Sequence, residues 1–195
     1  PAMKVDALVN AQPLRRFQEI ARDPEAAGFA GLTITEGGRT AYLSAAAAAL
    51  VTELDLATGV AVAFPRSPMI TAANAWELAD VSAGRFRLGL GTQVRAHIER
   101  RYAAEFDPPG PRLREYVEAL RAIFRAFAGE ERLRFEGEHW SMDLLPREWS
   151  PGPIAVPAPP IDLAAVNPWM VRMAGEVADG VHVHPLNTPT YLAET

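Results

Sequence analysis

Residues 59–93, GVAVAFPRSPMITAANAWELADVSAGRFRLGLGTQ, spell strand, loop, helix, turn and strand without interruption, one complete βαβ unit. Gly59 to Phe64 is apolar throughout, the pattern of a parallel strand covered on both faces, and Pro65 ends it. After Pro68, the residues Met69, Ala72, Ala73, Trp76 and Ala79 recur at helical spacing on one face, and Gly84 stands where a C-terminal cap belongs. In the following RFRLGLG, residues 85–91, Phe86, Leu88 and Leu90 point one way while Arg87, Gly89 and Gly91 point the other. One face is therefore apolar, and the other loses its side chains towards the strand's end, leaving backbone that can touch a flat ligand.

The same alternation runs outward from this unit. Lys4–Val9, Gly31–Thr35, Ile161–Val166 and Gly180–His184 read as further strands. A helix is expected over Leu14–Ala27, re-initiated at Asp23 with Pro24 in its first turn and closed by Gly28. Another is expected around Tyr42–Leu54, where alanine gives high propensity and a smooth packing surface. Pro111–Ala128 carries Leu113, Val117, Leu120, Ile123, Phe124 and Phe127 on one stripe, Pro168–Val177 forms a further helix, and TPTYLAET begins a last one. Six strand–helix repeats predict an α/β fold with a parallel sheet or barrel. The connections Thr92–Gly110 and Gly129–Pro160 exceed the usual loop length. They read either as walls of a pocket or, through Phe135, Trp140, Leu144 and Trp149, as a plug against the barrel's outside or one end.

Composition sets the class. The 195 residues are 49% hydrophobic and 22% charged, an ordinary globular balance with room for a sizeable core. A formal charge of −5 with no clustered basic run argues against nucleic acid or an anionic membrane as partner. Without cysteine there is no disulfide framework, thiolate nucleophile or thiolate metal site, which suits a reducing cytosol. The longest apolar run, Ala45–Val51, is too short for a bilayer, and PAMKVDALVN reads as entering a strand with no charged-then-apolar leader, so a cytoplasmic location is expected.

The segments EAAGFAGLTITEG, VAVAFPRSPMITAANAWELADVSAGRFRLGLGTQ, HIERRY, RLREYVEALRAIF, RFEGEHW, PIDLAAVNPWMVRMAGEVADGVHVHP and TPTYL resemble the luciferase-like flavin-utilising superfamily, in the branch that uses the deazaflavin coenzyme F420. That resemblance implies a TIM-type (β/α)8 barrel, a cofactor at the C-terminal strand ends, and hydride transfer between C5 of the deazaflavin and a small organic substrate. A closed barrel needs eight βα units and about six are legible, so residues 1–195 are expected to form one luciferase-like barrel domain lacking its C-terminal units. A homodimer through the second and third helices is expected from their alanine-rich surfaces. Two other readings stand beside this one. One is an FMN-dependent luciferase-like monooxygenase, and the other a truncated, non-catalytic scaffold completed by self-association.

Site candidates follow from strand ends. Glu36 ends the second strand, where the family presents an acid to the cofactor ring; the plainer reading is an exposed loop acid near Arg39. Many relatives carry a histidine next, and this chain has Gly37, which weighs against a sugar-phosphate dehydrogenase. The resemblance also implies a bulge in the third strand, often with a non-proline cis peptide, behind the ring. Small Ala61 and Ala63 suit that place, or else reflect tight helix contact. Gly89, Gly91, Thr92 and Gln93 offer backbone, a hydroxyl and a carboxamide to the ring's polar edge, although relatives often have glutamate near Gln93. His97 is a candidate catalytic imidazole, followed by Arg100 and Arg101 as an anion clamp or a solvated turn. Val166 and Asn167 end the fifth strand as cofactor-binding candidates. His182 and His184 share one face of the sixth; with no matched third ligand they read as hydrogen-bonding groups beside the cofactor tail rather than a metal site.

Overall fold

The computed structural model describes residues 3–194. Its strands are β1 (Asp6–Asn10), β2 (Gly31–Thr35), β3 (Asp55–Thr58), β4 (Ala61–Val62), β5 (Phe86–Gly91), β6 (Phe135–Glu136), β7 (Ser141–Met142), β8 (Ile161–Ala165) and β9 (Gly180–Val183). The helices are α1 (Leu14–Ala26), α2 (Ala41–Ala49), α3 (Pro68–Val81), α4 (Arg95–Arg101), α5 (Pro109–Phe127), α6 (Pro168–Val177) and α7 (Pro189–Glu194). The main sheet is parallel, in the order β1-β2-β3-β5-β8-β9, with β4 adding to β5, so the strands follow chain order around half of a TIM-type barrel. Strands β6 and β7 form a separate antiparallel hairpin.

Alternation decides which side of the sheet is core. Leu32, Ile34, Leu56, Phe86, Leu88, Leu90, Ile161 and Leu163 face the helix layer and are buried. Each contributes about 1.5–3 kcal/mol by leaving water. Their neighbours Asp6, Thr33, Ala57, Arg87 and Ala164 take the other, concave face, on which Leu8 stays 69% exposed. At the N-terminal end of that face Arg87 grips Asp162 with two hydrogen bonds of 2.9 and 2.6 Å. Among the described residues no helix is long and apolar enough to cross a membrane.

Several boundaries differ from the expected ones. The third strand begins at Asp55 rather than Gly59, because α2 stops at Ala49 and Thr52 turns its hydroxyl back onto the Ala48 carbonyl at 3.1 Å. Helix α1 is continuous, with buried Pro24 inside it rather than at a new start. His97 lies on a short helix of its own, α4. In the long segment after α5, Trp140 packs edge-on against Tyr116 at 5.2 Å, and the Glu115 carboxylate accepts the backbone N–H groups of Glu138, His139 and Trp140. Trp76 donates its indole N–H to the Gly152 carbonyl. Leu144 and Trp149, 75% and 80% exposed, plug nothing.

Candidate active site

The apolar run 59–64 is not one strand. The chain breaks after Thr58, passes through a cis peptide between Gly59 and Val60, and resumes as β4. At the break the Thr58 hydroxyl replaces the missing ladder bonds, accepting the Gly89 N–H at 2.9 Å and donating to the Gly89 carbonyl at 2.7 Å. The Gly59 N–H reaches back to Ile34, and Ala63 rejoins β5 through the Gly91 carbonyl.

This close approach explains the glycines of β5. A Cβ on Gly89 would lie 1.9 Å from the Thr58 carbonyl oxygen and 2.5 Å from His182 Nε2; one on Gly91 would meet a Val60 methyl at 2.7 Å. The bare face of β5 is therefore covered by β3 and His182 instead of lying open to a ring. His182 comes from β9 with its Nε2 buried and without a hydrogen-bond partner. Burial pushes its pKa below the ordinary imidazole value, with Asp162 opposing the shift and Arg87 adding to it. Pairing with Leu90 turns Ala61 to the helix side, fully buried, and Ala63 is buried as completely. Tight packing accounts for these two alanines, and Val60 places a methyl on the concave side, against Gly91.

Glu36 is neither an exposed loop acid nor open to a ring. Its carboxylate is buried: Oε2 accepts the Val62 N–H at 2.7 Å and Arg66 Nη1 at 3.0 Å, while Oε1 takes Arg66 Nη2. Arg66 also donates to the Val62 carbonyl and lies over the Tyr42 ring at 5.1 Å. Tyr116 accepts from the Thr71 hydroxyl and donates to the Arg66 carbonyl. Glu36 thus fastens the end of β2 to β4 and to the turn entering α3.

The remaining candidates divide. Gln93 takes a positive φ of 59° and its side-chain oxygen accepts the Val94 N–H; Thr92 donates to the Gln93 carbonyl. Asn167 caps α6 by accepting the Met170 N–H at 2.9 Å, and the Val166 carbonyl accepts the Tyr191 hydroxyl. The Nδ1 of His184 accepts the Leu186 N–H. His97 is exposed on α4, whose one buried residue is Ile98. Arg101 donates to the Gly37 carbonyl, and both arginines are exposed. Thr92 and Asn167 do meet, across a cleft of about 540 Å3 whose walls include Phe106 and Trp169. Those two aromatics were not among the candidates, although both flank expected elements: Trp169 follows the capping Asn167–Pro168, and Phe106 lies in the overlong connection after β5.

The luciferase-like monooxygenase family model matches residues 3–195, and the chain belongs to that family. An uncharacterized protein of Mycobacterium tuberculosis is 41% identical over 193 residues, covering 98% of this chain and 56% of that one. The 5,10-methylenetetrahydromethanopterin reductase of Methanolobus tindarius is 27% identical over 179 residues, covering 90% and 52%. Among solved structures, the coenzyme F420 dependent tetrahydromethanopterin reductase of Methanopyrus kandleri superposes with a TM-score of 0.73 at 20% identity, over 93% of this chain and 55% of that one. The chain spans about half the length of the relatives it matches.

Removing one charge of a buried, hydrogen-bonded pair leaves the other uncompensated, at a cost of about 3–5 kcal/mol. Glu36→Gln is expected to lose stability on that scale in urea unfolding, whereas Asp55→Asn, paired with exposed Lys4, leaves the midpoint nearly unchanged. Equal, small effects would show that the Glu36–Arg66 contact holds nothing.

Proposed function

We propose that the protein is an oxidoreductase that binds coenzyme F420 at the C-terminal ends of its strands and exchanges a hydride with a small organic substrate. The observation that carries this reading is the interruption of the sheet between β3 and β4, which puts the backbone of Gly59 and the compact side chain of Val60 on the concave face. A flat heteroaromatic ring fits the residues present: Gly59, Val60 and Ala164 offer it a low surface, and Thr92 and Gln93 follow directly at the strand end. When bound, the deazaflavin supplies the hydride donor or acceptor, and the protein supplies orientation and a dry surface.

The chain's own groups then have distinct tasks. Glu36 and Arg66 hold the break from the β2 side. Thr92 and Gln93 provide hydrogen-bonding groups for the ring's polar edge. Because Nδ1 of His184 accepts the Leu186 amide, the neutral imidazole carries its proton on Nε2 and, just past the end of β9, can donate a hydrogen bond from it. His97, exposed on α4, is given no step. Support for F420 comes from the solved tetrahydromethanopterin reductase, which is coenzyme F420 dependent; a methanopterin reductase is also among the sequence relatives. An FMN-dependent monooxygenase is the second reading, favoured by the family's own description.

Equilibrium titration followed by cofactor absorbance separates the two readings. F420 is expected to bind more tightly than FMN; tighter FMN binding overturns the assignment.

The reading extends to assembly as a homodimer through α2 and α3. Between these helices Leu43, Leu50 and Val81, 55%, 68% and 43% exposed, line a groove with Ala46 and Leu78, its polar members being Tyr42, Asn74 and Glu77. Light scattering is expected to give twice the chain mass for the unmodified protein and the single-chain mass for Leu50→Glu. A monomer across the micromolar range removes the idea.

A further inference from the structure

The cleft above β5 and β8 is uncharged. Its lining is Phe106, Pro109, Gly110, Pro111, Trp169 and Met170, with Thr92 and Asn167 the polar members. The charges that flank it in sequence are occupied elsewhere. Asp107 is held by Arg95; Arg112 donates to Glu105 at 2.8 Å and to the Asp107 carbonyl at 3.3 Å, and its guanidinium lies 5.8 and 5.1 Å from the Phe64 and Trp140 ring centres. A cation already neutralised and stacked is a poor receptor for a phosphate or carboxylate.

The walls are held in place. A Cβ on Gly110 would fall 2.2 Å from Trp169 Cζ3, so the indole lies on the bare first turn of α5, with about half of the residue still exposed. Phe106 is fixed by the Arg95 guanidinium at 4.9 Å and by an edge contact with Phe64 at 6.2 Å. The two polar groups are half used. Asn167 spends its oxygen on the helix cap and retains its Nδ2 donors; Thr92 spends its proton on the Gln93 carbonyl and retains its oxygen lone pairs. The volume of about 540 Å3 lies within the range of small-molecule sites.

We propose that this cleft seats the substrate, and that the substrate is an uncharged, largely apolar molecule with a carbonyl or hydroxyl oxygen, held between Phe106 and Trp169 with that oxygen accepting from Asn167 Nδ2. Phosphorylated and carboxylated metabolites are rejected, because an anion would leave water for a site whose neighbouring cations, Arg95 and Arg112, are already paired. The assignment rests on the oxidoreductase reading above.

Acetophenone and benzoate, nearly equal in shape and different in charge, are the probes, titrated into the cofactor-free protein with binding followed by NMR. Acetophenone is expected to bind at least about tenfold more tightly than benzoate. Asn167→Asp keeps a capping oxygen for Met170 and removes the donor; it is expected to weaken acetophenone about tenfold with the unfolding midpoint unchanged. Trp169→Ala is expected to weaken it at least as much. Benzoate binding as tightly as acetophenone, or acetophenone binding unaltered by both substitutions, overturns the proposal. The probe titrations need no cofactor, so failure of F420 to bind the unmodified protein counts against the oxidoreductase reading alone.

Discussion

A single side-chain hydroxyl stands in for a stretch of β-ladder at the centre of this sheet. A parallel strand that breaks in mid-sheet strands the N–H and C=O of its neighbour, each costly to bury unpaired. Thr58 meets both needs of Gly89 at once, which permits the chain to leave the sheet at Gly59 and re-enter at Ala61. Much else follows from that geometry. Residue 89 must lack a side chain, since Thr58 backbone fills the place a Cβ would take. Val60 is brought against Gly91, and His182 is pressed into the gap with no partner for Nε2.

The two sides of the break are held by different physics. Towards β5 the bonds are neutral and buried. Towards β2 the contact is ionic: Glu36 closes on both Arg66 and the Val62 N–H, and Tyr42 and Tyr116 shield the pair from water. An ion pair at such depth is weak evidence of net stability but strong evidence of a fixed geometry, because breaking either partner leaves a charge without compensation. The candidate substrate cleft, by contrast, has polarity only from an amide and a hydroxyl. Charge holds the scaffold together and is kept from the surface where a substrate would rest.

The alternation of strands and helices was legible in the sequence because the outward faces of β2, β5 and β8 are apolar at a period of two, and the α5 stripe at a period near four. The break was not legible from periodicity. Asp55 lowers the strand signal where β3 runs, while the apolar Gly59–Phe64 raises it where the chain bends; only the family resemblance pointed to a bulge. Glu36 was marked as a site residue by its strand end, yet its partner stands thirty positions on, and no local pattern announces a pair at that separation. The glycines of β5 were seen as bare backbone, but what fills their space comes from β3 and β9. Trp169 and Phe106 become neighbours only when α5 and α6 pack together, a tertiary event that helix periodicity does not encode.

The most direct test of the broken strand as organiser of the site is urea unfolding of Thr58→Val, which keeps the side chain's shape and removes its hydroxyl. Gly89 would lose both a donor and an acceptor for its buried backbone groups, and the account predicts a loss of about 1–3 kcal/mol for each group left unpaired. An unfolding free energy equal to that of the unmodified protein would contradict it.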